Sequence, residues 1–223
     1  KNECPIYLHT DASQAAGVLD LHNARLGVDL MTLNGAKIYG PKQSGILYAD
    51  TSVSHAPIVH GGGQERGLRS GTENVAGIIG FAAALEIAES KRKTEVSRLQ
   101  DLRRQFLDIL LESFDDIMII GDQKHHAPHI LTAAWPGLDA DRVLFALEAK
   151  NILVATGSAC AANKDTRSHV LGALGLDENT IDGSLRFSFG RQTTSQQVER
   201  AAKIIVEVIK QEIARGKKLE QLS

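Results

Sequence analysis

Residues 75–114, VAGIIGFAAALEIAESKRKTEVSRLQDLRRQFLDILLESF, place apolar side chains at spacings of three and four along their whole length. That period belongs to an α-helix with one buried stripe. A helix this long gains its stability from what covers the stripe, so the chain is constrained to a layered arrangement. Short apolar runs supply the covering layers. CPIYLHTDAS reads as a buried strand ending at Asp11, VDLMTLNGAKIYG as a strand delivering Lys37 into a turn, and SGILYAD as a third strand. AGVLDLHNARLG between them reads as a short helix or turn. Past the long helix, DIMIIGD, HILTAAW, ILVATGSAC and SLRFSFG read as strands. DADRVLFALEAKN, RSHVLGALGL and TSQQVERAAKIIVEVIKQEIARGKK read as helices. Asp139 or Asp141 is expected to cap the first of these helices, Gly175 to stop the second, and Thr194 or Ser195 to cap the last. Strands interleaved with helices predict an α/β or α+β layered fold. Charges thicken through ESKRKTE, Glu89–Glu95. A boundary or hinge there divides the chain into residues 1–90 and 91–223.

The chain has 223 residues, is 43% hydrophobic and carries a net charge of −2. That balance gives no basic footprint for direct DNA binding. No apolar run reaches the roughly 18 residues of a membrane span. Two cysteines, Cys4 and Cys160, lie far apart and do not suggest a disulfide framework, so a reducing cytoplasm is the expected setting. The chain opens KNECPIYLHTD, straight into an apolar run and without methionine. It reads as part of a longer protein.

NGAKIYGPKQSG sets Lys37 among Gly35, Ala36 and Gly40. Small neighbours suggest that the amine meets something bulky in a confined place, although a tight turn with a solvated lysine has the same composition. Asp11 ends a strand and Gln14 follows it closely. An aspartate facing a pyridinium nitrogen and a lysine able to form a Schiff base are the pair expected of pyridoxal phosphate (PLP) enzymes. A capping aspartate remains the plainer reading of Asp11. HGGGQERGLRSGTEN, residues 60–74, is a Gly-rich loop whose Arg66 and Arg69 suit anion contacts. His125, His126 and His129 raise the question of a metal, but their spacing is not that of a zinc site with matching cysteines. His9, His60 and His169 are individually ambiguous.

Five blocks in order, HTDASQAAG, VDLMTLNGAKIYGPK, HGGGQERGLRSGTEN, ATGSACAA and SLRFSFGRQTT, resemble cysteine desulfurases. These enzymes belong to the class V aminotransferase group of fold-type I PLP enzymes. The resemblance covers nearly the whole chain and matches the C-terminal part of such an enzyme. It implies an α/β fold made of part of the large-domain sheet, residues 1–90, and a small α/β domain, residues 91–223. It implies that Lys37 carries PLP and moves the substrate Cα proton, that Asp11 partners the ring nitrogen, and that Gln14 bonds the ring hydroxyl. Thr72 matches a residue that reaches the phosphate of the neighbouring subunit's cofactor, which implies a homodimer. Cys160 matches the nucleophile that takes sulfur from L-cysteine as a persulfide and releases alanine. Arg186 matches the arginine that clamps the substrate carboxylate, a use that suits a planar guanidinium; Arg191 has no firm assignment, and Cys4 reads as a core residue. The loop after Cys160 resembles that of the group that passes sulfur to scaffold proteins for iron–sulfur clusters and to tRNA-thiolating partners.

The pattern is not complete. Many cysteine desulfurases carry serine- and histidine-like phosphate donors where Asn34 and Ala36 stand here. Asn34 can still donate a hydrogen bond; Ala36 cannot. The phosphate-cradling loop, the histidine that stacks on the cofactor and the asparagine near the substrate carboxylate have no match. The expectation is that the chain alone binds PLP weakly or not at all and is partly or wholly inactive. Two other readings share these residues. A selenocysteine lyase or another class V PLP enzyme would keep Asp11, Lys37 and Arg186, though the thiol of Cys160 favours desulfuration. A non-catalytic partner-binding module would need none of them.

Overall fold

The computed structural model describes residues 6–156 and 167–220. Two compact units divide between Glu95 and Val96. The expected calls at Cys4 and Cys160 lie outside the described residues.

The first unit is a three-stranded sheet of β1 (His9–Asp11), β2 (Leu30–Asn34) and β3 (Gly45–Ala49), in that spatial order. β1 runs parallel to β2, and β3 runs antiparallel to it. Helix α1 (Asn23–Leu26) lies between β1 and β2 in sequence and stops at Gly27, whose φ of 64° is the left-handed cap that glycine supplies most readily. Helix α2 (Val75–Ser113) begins in this unit and runs unbroken through Glu89–Glu95 into the second. Alternation along β2 buries Met31 and Leu33 with Ala12, Ala16, Ile38, Phe81 and Ala88. Each of the larger side chains contributes roughly 1.5–3 kcal/mol by leaving water. The opposite face of the sheet carries the polar residues discussed below.

The apolar stretch before β1 departs from expectation. Ile6 is 97% exposed and Leu8 is 54% exposed, and the strand begins only at His9. Among the described residues β1 pairs with β2 alone. Among those residues nothing forms a second layer or second neighbour over its apolar entry.

The second unit is an antiparallel sheet in the order β4-β5-β7-β6, from β4 (Met118–Ile120), β5 (Ile130–Ala134), β6 (Ala155–Thr156) and β7 (Ser184–Ser188). Leu131 pairs with Phe187 and Ala133 with Leu185, all buried. Helix α2 brings Leu99, Leu102, Phe106 and Leu110 to this core on one stripe, and the Phe106 ring lies 4.8 Å from that of Phe187. Helix α6 (Ser195–Glu220) buries Val198, Ala202, Ile205 and Ile209 at the same spacing. Its start is a reciprocal capping box: the Gln197 amide donates to Thr194 Oγ1 at 3.2 Å, and the Thr194 amide donates to Gln197 Oε1 at 2.9 Å. Asp139 caps helix α3 (Ala140–Glu148) through the Arg142 amide. Helix α4 (His169–Ala173) is capped by Ser168 and followed by Gly175 at φ 78°. Helix α5 (Glu178–Asp182) has no counterpart among the expected elements. It is a single turn fixed by Asp177, whose carboxylate accepts from the Thr180 amide and hydroxyl. One turn is too short to leave a readable period.

Candidate functional site

In the first unit the expected residues meet on the polar face of the sheet. Asp11 pairs in register with Thr32, and Asn34 lies two residues further along β2, so all three share the side away from the core. His9 joins them: its Nε2 lies 2.8 Å from Thr32 Oγ1. Asp11 Oδ1 accepts from the Ser13 amide at 2.9 Å. Hydrogen bonds from the Ser13 side chain and backbone, with help from nearby His9, hold the Asp11 carboxyl below its ordinary range. An ionised carboxylate therefore stands exposed at the strand end. Gln14 is exposed in the turn that follows. The pairing of His9 with Thr32 was not anticipated; the alternation of His9 with Asp11 along the strand is the signal that places both on one face.

Lys37 sits on a 3-10 turn, Gly35–Ile38, directly after β2. Its side chain is exposed. The small residues around it do not confine it, contrary to the reading of NGAKIYG as a walled-in amine. They pack beneath it. A Cβ on Gly35 would overlap Ser44 Oγ and come within 2.9 Å of the Phe81 ring, and one on Gly40 would meet Ala84 at 3.0 Å. The glycines are small because the turn lies flat on α2. Asn34 caps this turn, its Oδ1 accepting from the Ala36 amide at 2.9 Å. The Nδ2 donors face away from that bond.

The Gly-rich loop is tied to itself. The Gly71 amide donates to Gln64 Oε1 at 3.0 Å and the Gly63 amide to Ser70 Oγ at 3.3 Å. Glu65 and Arg66 both hold positive φ, 49° and 58°, which is costly for residues with a Cβ. Arg69 spends Nη1 on the carbonyls of Ser70 and Gly71. Thr72 follows, exposed.

In the second unit Arg186 is half-buried at the centre of β7, flanked in register by Thr132 on β5 and Ala155 on β6. The turn after β7 holds Arg191, and Arg98 of α2 donates to the carbonyls on either side of it, Gly190 at 2.9 Å and Thr193 at 2.6 Å. Among the described residues no cluster of three or more His, Cys, Asp or Glu could hold a metal ion. His125 pairs with Asp122 at 3.0 Å. Burial pushes His129 below the usual imidazole range, and its enclosed Nδ1 meets no partner among the described residues. No helix among the described residues is long and apolar enough to cross a membrane.

The first unit thus carries a parallel strand pair ending in an ionised aspartate and a lysine on the turn after the second strand, and the second unit carries an antiparallel sheet presenting an arginine, a mixed α/β arrangement that corresponds to part of a fold-type I fold. The chain belongs to the aminotransferase class-V family, which matches residues 1–201. It is 38% identical over 205 residues to the putative cysteine desulfurase IscS 1 of Bacillus subtilis, covering 92% of this chain and 54% of that protein. It is 35% identical to the human cysteine desulfurase, covering 92% of this chain and 45% of that one. Among solved structures it resembles a NifS-like protein with a TM-score of 0.82 at 32% identity, covering 92% of this chain and 52% of the other. The NifS-like protein of Rickettsia africae gives a TM-score of 0.81 at 27% identity over 90% of this chain and 52% of that one. The chain thus spans about half the length of the relatives it matches.

Proposed function

We propose that the chain is the part of a PLP-dependent cysteine desulfurase that holds the cofactor lysine and the sulfur-accepting cysteine. The observation that carries this reading is the shared face of Asp11, Thr32 and Asn34, with Lys37 on the next turn. The donor set fits PLP. An ionised Asp11 suits a protonated ring nitrogen, Gln14 a ring hydroxyl, Lys37 the covalent attachment, and Asn34 Nδ2 with Thr72 a phosphate. When bound, PLP supplies an electron sink for the bond broken at the substrate Cα.

The chain's own residues do the rest. Arg186 holds the α-carboxylate of L-cysteine through a guanidinium fork. The Lys37 amine takes and returns the Cα proton. The Cys160 thiolate attacks the substrate sulfur. The Cβ–S bond breaks with its electron pair left on the carbon skeleton, the sulfur stays on Cys160 as a persulfide, and the proton given up when the Cys160 thiol ionised is balanced by one gained at Cβ as the skeleton leaves as L-alanine. The persulfide then passes to an acceptor protein of iron–sulfur assembly or tRNA thiolation. In this reading residues 1–90 belong to the large cofactor domain and 91–223 to the small domain, the enzyme is a cytoplasmic homodimer, and Thr72 serves the neighbouring subunit's cofactor. The names of the relatives, cysteine desulfurase and IscS, support it.

The test adds PLP to the purified chain and reads the visible absorbance beside Lys37→Ala, then adds L-cysteine and looks for a persulfide on Cys160 by peptide mass. An absorbance band that needs Lys37, followed by sulfur on Cys160, is the expected result. Equal bands in the two proteins would remove Lys37 from its role.

A further inference from the structure

We infer that Asn34 is a positioning residue for Lys37, fixing the turn from which the amine projects by accepting the Ala36 amide. The inference rests on the reading of Lys37 given above and deepens it.

The turn is held from below and from one side. Gly35 and Ile38 are its buried anchors. The Gly35 amide donates to the Ser44 carbonyl at 2.8 Å, and the Gly40 amide closes the turn on the Gly35 carbonyl at 2.8 Å. Tyr39 ends it at φ 64°, a backbone state that a residue with a Cβ keeps only where its surroundings impose it. Ala36 and Lys37 are the two exposed residues between the anchors. On that outer side the side-chain tether is the bond from the Ala36 amide to Asn34 Oδ1, 2.9 Å. Asn34 keeps extended backbone, φ −124° and ψ 122°, so it ends β2 and caps the turn at once. The acceptor of its amide is thereby committed to the protein. Its register with Gly45 places it on the sheet face that Asp11 and Thr32 occupy. Lys37 therefore leaves a turn indexed to the strand beside Asp11, and Asn34 fixes the point from which the lysine's long stem starts. An untethered turn would add backbone freedom to the rotamer freedom of the stem and dilute the productive approach of the amine.

The experiment compares wild type with Asn34→Ala, Asn34→Ser and Asn34→Asp in the full chain. Pyridoxal, which lacks the phosphate assigned above to Asn34 Nδ2, is added, the adduct is trapped with borohydride, and labelling of Lys37 is scored by peptide mass against Lys42 in the same protein. Amide exchange at Ala36 is measured in parallel. Wild type, N34S and N34D, which keep a side-chain acceptor, should protect the Ala36 amide and label Lys37 preferentially. N34A should lose the protection and label Lys37 about tenfold more slowly, the change that one bond of about 1.4 kcal/mol gives. Labelling that does not follow Ala36 protection across the series overturns the inference: N34A labelling like wild type, or an acceptor-retaining variant that protects Ala36 yet fails to label. Should N34A not fold, the two acceptor-retaining variants decide by the same rule. If wild type labels Lys37 no better than Lys42, the inference falls together with the reading of Lys37; if wild type prefers Lys37 and N34A equals it, the inference falls alone.

Discussion

Gly183→Ala should be the most damaging small substitution in the second unit. Gly183 lies between α5 and β7, the strand that carries Arg186. Its φ of −88° and ψ of 11° lie outside the left-handed region, so the penalty a Cβ meets at positive φ does not enter. The obstruction is steric. A Cβ there would overlap the carbonyl oxygen of Trp135, lie 3.0 Å from that carbonyl's carbon and 3.3 Å from the Asn179 oxygen. All three are backbone atoms and cannot rotate away. The Trp135 amide also donates to the Gly183 carbonyl at 3.1 Å, so moving one strand end away from the other sacrifices that bond. Overpacking against side chains costs about 1–3 kcal/mol, and a backbone clash belongs at the upper end, roughly 3 kcal/mol. At about 4 °C of Tm per kcal/mol for a unit of this size, the melting temperature should fall by about 12 °C. The assay is built in, because Trp135 is the only tryptophan of the chain and is 3% exposed. Its ring lies edge-on to Phe114 with centroids 5.4 Å apart. Thermal unfolding followed by its fluorescence reads the damaged site directly. Gly216→Ala is the control, since a Cβ there meets nothing within 4 Å and the residue lies inside α6. It should raise stability by about 0.5–1 kcal/mol. If G183A melts within about 2 °C of wild type with unchanged emission, the steric reasoning is wrong.

Thr194→Ala removes one half of the α6 capping box and should cost about 1 kcal/mol, whereas Thr194→Ser should be nearly neutral; chemical denaturation measures both. Burial lowers the His129 pKa, so the folded unit binds fewer protons there than the unfolded chain; stability from this group is complete above about pH 6.5 and falls as pH drops through the lowered value, and His129→Phe should flatten that part of a Tm-versus-pH curve. Asp177 and Asp182 are held low by Thr180 and by Arg167, so their contribution is present above about pH 4 and is lost as pH falls further; Asp182→Asn should leave the neutral-pH Tm within a few degrees while removing part of the acid slope. Gly35→Ala should disorder the Lys37 turn and slow PLP trapping at Lys37, and Ser44→Ala in the same chain should recover part of the loss by clearing the first obstruction.

Local chemistry in this sequence is written in short, self-contained patterns, and those were legible. The three-and-four spacing of α2 and α6, the capping residues Asp139 and Thr194, and the alternation of Met31 and Leu33 each depend on neighbours a few positions away. So did the resemblance through HTDASQAAG, NGAKIYGPK and SLRFSFG, which carried the class V family and the candidate residues. Helix α5 escaped because it is too short for a period to accumulate, whereas β6, Ala155–Thr156, lies within the strand expected over ILVATGSAC.

Tertiary structure decided what each small or polar residue is for. Gly35 and Gly40 read as room for a ligand beside Lys37; in the fold they are the clearance between the turn and Phe81 and Ala84 of α2, a distance no local spacing encodes. Ile6 and Leu8 read as buried strand and lie open, because burial requires a second layer and the sequence of a strand does not say whether one is there. His9 shares the Asp11 face by alternation along β1, but its contact with Thr32 comes only through the parallel register of β1 with β2, which joins residues 23 positions apart. Sequence fixes periods and caps because those are local energies. Which side chains share a face, and which glycine is a spacer, follows from strand pairing and packing between distant segments.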